Sequence, residues 1–369
     1  MDFSFFLFMA NRGRTLDARL QRLQDRRASI RLAATQRPQL PREEEKWWPA
    51  LVEQFGSEEA VFERNYLDRR VFDEALALVS DIQLESRGRR SAIQTPRERL
   101  LFLFIYMACG VDVLERLVAR FIKKREYIHK MARRIAKTYR VNLVQPLVRF
   151  LNEEHPDVPE AALVVDCTVC QIRRPKQPFE DAKVFFSGKH FIYAVKKEVF
   201  VNIRSGTAAL VSRTYPGAVH DITILRSHAD EVRELLGGRG VLADLGYVGA
   251  ERDVPGLIVC GHDMQELRAR RVVVECYFGR LKGMWDIFSS KWTLDEKYFD
   301  RFFEIGCALT NIHILNNPLV ADDFEFNLGI NNKILIDLQE KALRQKMANE
   351  AYRRRRLRDL EDTTTESTE

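Results

Sequence analysis

A chain of 369 residues, 46% hydrophobic and 30% charged, can bury a large domain and a smaller one beside it. The net charge of +6 excludes a strongly acidic, self-solvating chain and suits a polyanionic partner. No apolar run approaches the ~20 residues that span a bilayer, so no membrane segment is expected. The apolar stretch 1–10 is short, carries Asp2 and lacks a basic flank, so it does not read as a signal peptide. Six scattered cysteines without a secretory signal are expected to be reduced thiols. Cys167 and Cys170 have the spacing of half a zinc site, but no second pair completes it, and they read as core residues of a strand.

Residues 11–46 are rich in Arg, Gln, Glu and Ala, and residues 1–57 read as a polar N-terminal arm. Apolar residues recur at helical spacing over 58–79. Thr95, Pro96 and Glu98 open another helix, as N-cap, first position and capping partner, and Gly110 ends it. A short helix over 112–121 and a basic one over 125–140 follow, the latter carrying Lys130, Arg133, Arg134 and Lys137. A short helix, a tight link and a basic helix form a helix-turn-helix-like layout, so 58–150 is an all-α candidate for DNA contact. A basic helix is also often only a solvated face. Pro146 and residues 152–159 read as the linker onward.

Composition then shifts. Residues 161–169 form an apolar strand interrupted by Asp166, and strands at 190–203 and 207–214 are joined by the turn Arg204-Ser205-Gly206. A glycine turn at 216–221 opens a helix through about 236. A short buried strand ends in Asp244, and 257–260 adds another. The helix Arg271-Val-Val-Val-Glu275-Cys-Tyr-Phe-Gly-Arg-Leu-Lys282 places Arg271, Glu275 and Lys282 on one stripe among apolar neighbours. A helix over 299–317 closes the domain. The fold class is α/β: a mixed sheet flanked by helices over 160–318, preceded by the all-α region. Residues 319–369 read as a polar, basic C-terminal helix with Arg353–Arg356 and a disordered tail.

Taken singly, Asp166 could satisfy a turn, Asp244 could cap the Leu245-Gly246 turn, and Glu275 could pair with Arg271. Together, three carboxylates close to one another need a cation, and Mg²⁺ or Mn²⁺ are hard ions that take oxygen ligands. Two such ions can activate a water or hydroxyl and stabilise the leaving oxygen in phosphodiester cleavage.

Five pieces in order carry a resemblance: Val165-Asp166-Cys167-Thr168, Phe186-Ser187-Gly188-Lys189-His190, Tyr215-Pro216-Gly217-Ala218-Val219-His220-Asp221, Ala243-Asp244-Leu245-Gly246-Tyr247, and the stretch 274–282. Over about 160–318 the chain resembles the DDE superfamily endonucleases, specifically the PIF/Harbinger transposases and their bacterial insertion-sequence relatives. Arg271, Glu275 and Lys282 match the Arg-x₃-Glu-x₆-Lys signature of the insertion-sequence enzymes, with Arg268 where that signature usually has Tyr. The resemblance implies an RNase H-like core with Asp166, Asp244 and Glu275 as catalytic acids on two divalent ions, and Asp221 as a further candidate metal ligand. It implies that Arg271 and Lys282 hold DNA phosphates or orient Glu275, while His220 beside a turn reads as structural. It also implies DNA as substrate and a Myb-like DNA-binding partner; homo-oligomers and a nuclear site of action are expected as well, with Arg353–Arg356 readable as a nuclear address, a phosphate contact or a solvated helix face.

Two other readings compete. A domesticated transposase would bind DNA or a partner without cutting. A carboxylate-based glycosidase would need no metal, but the basic balance and Lys282 near Glu275 favour a phosphate substrate.

Overall fold

The computed structural model describes residues 47–82, 93, 95–149, 161–176, 178–261, 263–318 and parts of 333–355. The expected linker at 152–159 and the tail beyond 355 lie outside the described residues, as does most of the arm. Of the arm, residues 47–57 do fall within the described set. They carry helix α1 (Trp47–Phe55), whose Trp47 is fully buried against Phe102.

The periodic stretch 58–79 is divided into two helices, α2 (Glu58–Asn65) and α3 (Arg69–Val79). Tyr66 adopts the left-handed conformation (φ 55°) and ends α2, and Asp68 starts α3 by accepting from the Arg70 and Val71 amides. Helix α4 (Pro96–Cys109) begins with the reciprocal capping box of Thr95 and Glu98 and ends at Gly110, whose φ of 79° suits glycine. Helix α5 (Val111–Val118) follows. Helix α6 (Arg125–Arg149) runs longer than its expected 125–140 and contains Pro146, which is therefore not a linker residue.

The sheet is built from β1 (Leu163–Gln171), β2 (Phe186–Ser187), β3 (Ile192–Asn202), β4 (Ala208–Val211), β5 (Tyr215–Pro216), β6 (Val241–Ala243) and β7 (Leu257–Val259). A short helix α7 (Phe179–Lys183) precedes β2. Strand order is β2-β3-β1-β6-β7, with β4 and β5 also pairing β3. β3 is antiparallel to β1, whereas β6 and β7 run parallel to it. The long expected helix after the glycine turn is two pieces, α8 (Asp221–Arg226) and α9 (Ala229–Leu236). Helix α10 (Gln265–Met284), the short α11 (Asp286–Ser289) and α12 (Phe299–Asn316) complete the order.

Alternation along β1 separates two cores. Val164 and Cys170, with Val195, Val199 and Val201 of β3, pack under Val274, Tyr277 and Leu281 of α10 and Phe302 and Phe303 of α12. Val165 and Phe200 point the other way, onto Leu225, Val232 and Leu236 of α8 and α9. The first core continues into the N-terminal helices: Phe104 of α4 meets Trp285 edge-on at 5.5 Å, and α6 lies along α12 with Ile128, Ala132, Ile135 and Tyr139 inward. At the sheet's edge Asn311 of α12 accepts from the Ala208 amide and donates to its carbonyl, both at 2.8 Å, which satisfies the outer backbone of β4. A long first strand, two antiparallel strands on one side, two parallel strands on the other and helices on both faces make an RNase H-like fold.

Candidate active site

The site is set by register. In the parallel pair Val164 lies opposite Leu242, so two residues further on Asp166 and Asp244 come level, where β6 has ended and β1 continues. Asp244 Oδ1 accepts from the Gly246 amide at 2.9 Å and caps a 3₁₀ turn over Leu245–Tyr247. The Gly246 position is tight: a Cβ there would lie 2.9 Å from Asp244 Oδ1 and 3.4 Å from Asp221 Oδ2. Asp166 Oδ1 accepts from the Cys167 amide at 2.7 Å, and Oδ2 lies 3.9 Å from Arg271 Nη2 of α10. Glu275 follows one turn after Arg271 on the same helix.

The charges act on one another. Burial, then the nearby charge of Asp244, pushes the Asp166 carboxyl up to about 7, against the pull of Arg271 and the Cys167 amide. Burial raises Glu275 too, with Arg271 opposing and Asp244 adding to the rise. Asp244 thus raises both Asp166 and Glu275, Asp221 adds to the rise of Asp166, and Arg271 draws on Asp166 and Glu275 alike. Among the described residues no three His, Cys, Asp or Glu side chains already stand at ligand spacing. The donor chemistry nevertheless fits a hard divalent cation: all-oxygen carboxylates, with Asp166 and Glu275 held above their ordinary values by burial first and by the charge of Asp244 after it.

Asp221, at the start of α8, is differently placed. Its Oδ1 accepts from Lys196 Nζ at 2.8 Å, and the same ammonium donates to the Val219 carbonyl. His220 precedes it, exposed and without a capping bond of its own. Lys282 is 1% exposed, and burial lowers its pKa against the pull of Cys170 and Asp166. That position places Lys282 inside the protein, within electrostatic reach of Asp166. On α6, Lys130, Arg134 and Lys137 share the outward face, whereas Arg133 is half-buried and lies over the Tyr298 ring at 4.7 Å. Cys167 and Cys170 are free thiols on β1, half-buried and buried.

Lys196, Glu198, His228 and Tyr247 were not among the expected site residues. The signal for the first two was visible: Lys196-Lys197-Glu198 is a charged triplet inside the apolar strand β3. Only strand pairing shows where those charges go.

Residues 165–311 match the family model described as DDE superfamily endonuclease. No curated protein and no solved structure matches the chain.

Proposed function

We propose that the chain is a metal-dependent DNA nuclease of the transposase kind, of the PIF/Harbinger type, in which Asp166, Asp244 and Glu275 are the catalytic acids. The observation that carries this reading is the level placement of Asp166 and Asp244 at the ends of two parallel strands, with Glu275 on the covering helix and the charge of Asp244 acting on both of the others. Bringing carboxylates this close costs stability unless a cation offsets their repulsion.

Asp166, Asp244 and Glu275 would hold Mg²⁺ or Mn²⁺, which when bound supplies activation of a water or 3′-hydroxyl and stabilises the leaving oxygen. The chain's own groups prepare the site. The Cys167 and Gly246 amides each fix one carboxylate oxygen of the two strand acids. Arg271 supplies a positive charge toward Asp166 and Glu275, and buried Lys282 adds another toward Asp166. Lys196 pairs with Asp221, which still adds to the negative charge acting on Asp166. The outward basic face of α6 would take the DNA backbone through phosphate contacts. A separate Myb-like protein and a second copy of the chain would complete recognition of element ends in the nucleus.

The test is cleavage of end-labelled DNA in Mn²⁺ by wild type and by Asp166→Ala and Glu275→Ala. Cleavage by wild type and none by either variant is the expected result. Metal-dependent cleavage that survives both substitutions would sink the proposal, and metal-insensitive binding without cleavage would favour a domesticated binding protein.

A further inference from the structure

A second polar cluster lies beneath the acids, on the opposite face of the sheet. Glu198 of β3 is fully buried, directly across from Cys167 of β1 in the antiparallel register. Its Oε1 accepts from the Tyr247 hydroxyl at 2.9 Å, and its Oε2 lies 2.9 Å from His228 Nε2. His228 Nδ1 donates to the Ile224 carbonyl at 2.8 Å. Because Nδ1 carries a hydrogen, one further proton must lie between Nε2 and Oε2, whichever atom holds it. Neither atom has a hydrogen bond of sound geometry, so the contact is a close electrostatic pair of imidazole and carboxylate. Burial raises Glu198, with His228 and Tyr247 opposing; burial would lower His228, but the hydrogen bond and charge of Glu198 raise it.

Tyr247 spends its one hydrogen on Glu198, so the Cys167 thiol, 3.5 Å from the phenolic oxygen, is the donor in that contact. Tyr247 is also the last residue of the turn that Asp244 caps, and its own amide bonds to the Asp244 carbonyl at 3.1 Å. Cys167 is the residue whose amide holds Asp166. One phenol therefore touches the turn of one acid, the neighbour of the other, and a fixed carboxylate on a third strand.

We propose that Tyr247, anchored by Glu198 and His228, is a positioning residue that sets the relative placement of Asp166 and Asp244. Register alone brings the two acids level only at the frayed end of a strand pair whose last partners are Val164 and Leu242. Beyond that point no β1–β6 ladder bond holds the strands, and the Tyr247 hydroxyl supplies the missing tie. A Glu buried at this depth has one oxygen bonded to Tyr247 and the other set against the His228 ring, and its cost is the sign that it does more than pack. This rests on the reading of Asp166 and Asp244 as the acids of the site.

The experiment is amide hydrogen exchange on metal-free wild type, Tyr247→Phe, Glu198→Gln and Glu198→Ala, followed by Mn²⁺ titration of the same proteins. Val232→Ala serves as a control, a truncation in the same core layer that removes no hydrogen bond. Tyr247→Phe is expected to speed exchange at least ten-fold at the Cys167, Gly246 and Tyr247 amides and not elsewhere in the sheet, and to weaken Mn²⁺ binding by at least five-fold. Glu198→Gln keeps an acceptor for Tyr247 and a donor for neutral His228, so it is expected to retain wild-type protection where Glu198→Ala loses it. Val232→Ala is expected to lower protection broadly and leave Mn²⁺ affinity unchanged. Unchanged exchange in Tyr247→Phe, or the same uniform loss as in Val232→Ala, would overturn the proposal. Because exchange is read without metal, it judges the tie even if wild type binds no Mn²⁺, a result that would instead count against the nuclease reading.

Discussion

Lys196 Nζ stands 2.8 Å from Asp221 Oδ1, so of the two acids that could complete the set after Asp166, Asp221 carries a lysine counter-ion whereas Asp244 accepts from a backbone amide. Substituting each should separate two roles. Asp221→Asn leaves Lys196, only 15% exposed, without its counter-ion, and should cost about 1–3 kcal/mol of stability while sparing most Mn²⁺ affinity. Asp244→Asn keeps a side chain that caps turns well, so stability should change by less than about 1 kcal/mol while Mn²⁺ binding is lost. Thermal melts and metal titrations of both variants check this; equal losses of metal in the two would assign Asp221 to the site.

Asp166 makes the metal-free protein pH-sensitive. Its folded-state pKa of about 7 lies above the ordinary 3.8, so between those values the folded chain holds a proton that the unfolded chain has released. Stability should therefore fall as pH rises from about 4 to about 7, and Asp166→Asn should remove that part of the slope. Metal has the opposite sign, because the ligand must be ionised. Mn²⁺ affinity should rise over the same window, with proton release at pH 6 visible as a dependence of binding enthalpy on the buffer's ionisation heat.

Much of this architecture was legible in the sequence. The apolar run around Asp166, the turn at Gly206 and the cap at Thr95 are local signals, and each element lies close to where they place it. The stripe of Arg271, Glu275 and Lys282 also follows from helical period alone, but period does not say that Lys282 is sealed inside or that Arg271 approaches Asp166. Those are facts of packing between elements. The Lys196–Asp221 pair and the Glu198–Tyr247 bond depend on strand pairing and on the path of the loops after it. The break at Tyr66 was hidden because a non-glycine residue takes a left-handed conformation there, and helical spacing continues across it.

Gly217, in the turn before Asp221, is required for space rather than for its φ. A Cβ there would sit 2.8 Å from the carbonyl oxygens of both Ala194 and Phe185, which are backbone atoms of β3 and its neighbour and cannot swing away. Gly217→Ala should therefore destabilise the protein by about 1–3 kcal/mol through a shift of β3, measurable by chemical denaturation. A neutral result would mean that this edge of the sheet yields freely.

The outward face of α6 should contribute to DNA affinity without reading sequence. Lys130→Ala and Lys137→Ala should each lower the slope of log affinity against log salt by about 1, equally on unrelated duplexes. Arg133, half-buried over Tyr298, should change that slope less. Fluorescence anisotropy across a salt series decides it, and slopes unaltered in the lysine variants would remove α6 from the interface.

The most direct test of the acid cluster is calorimetric titration of Mn²⁺, above pH 7, into wild type and Asp166→Ala. The arrangement of Asp166, Asp244 and Glu275 predicts two ions bound by wild type and weakened or abolished binding in the variant. Equal binding by both, or none by wild type even with DNA present, would contradict the assignment of these carboxylates as a metal site.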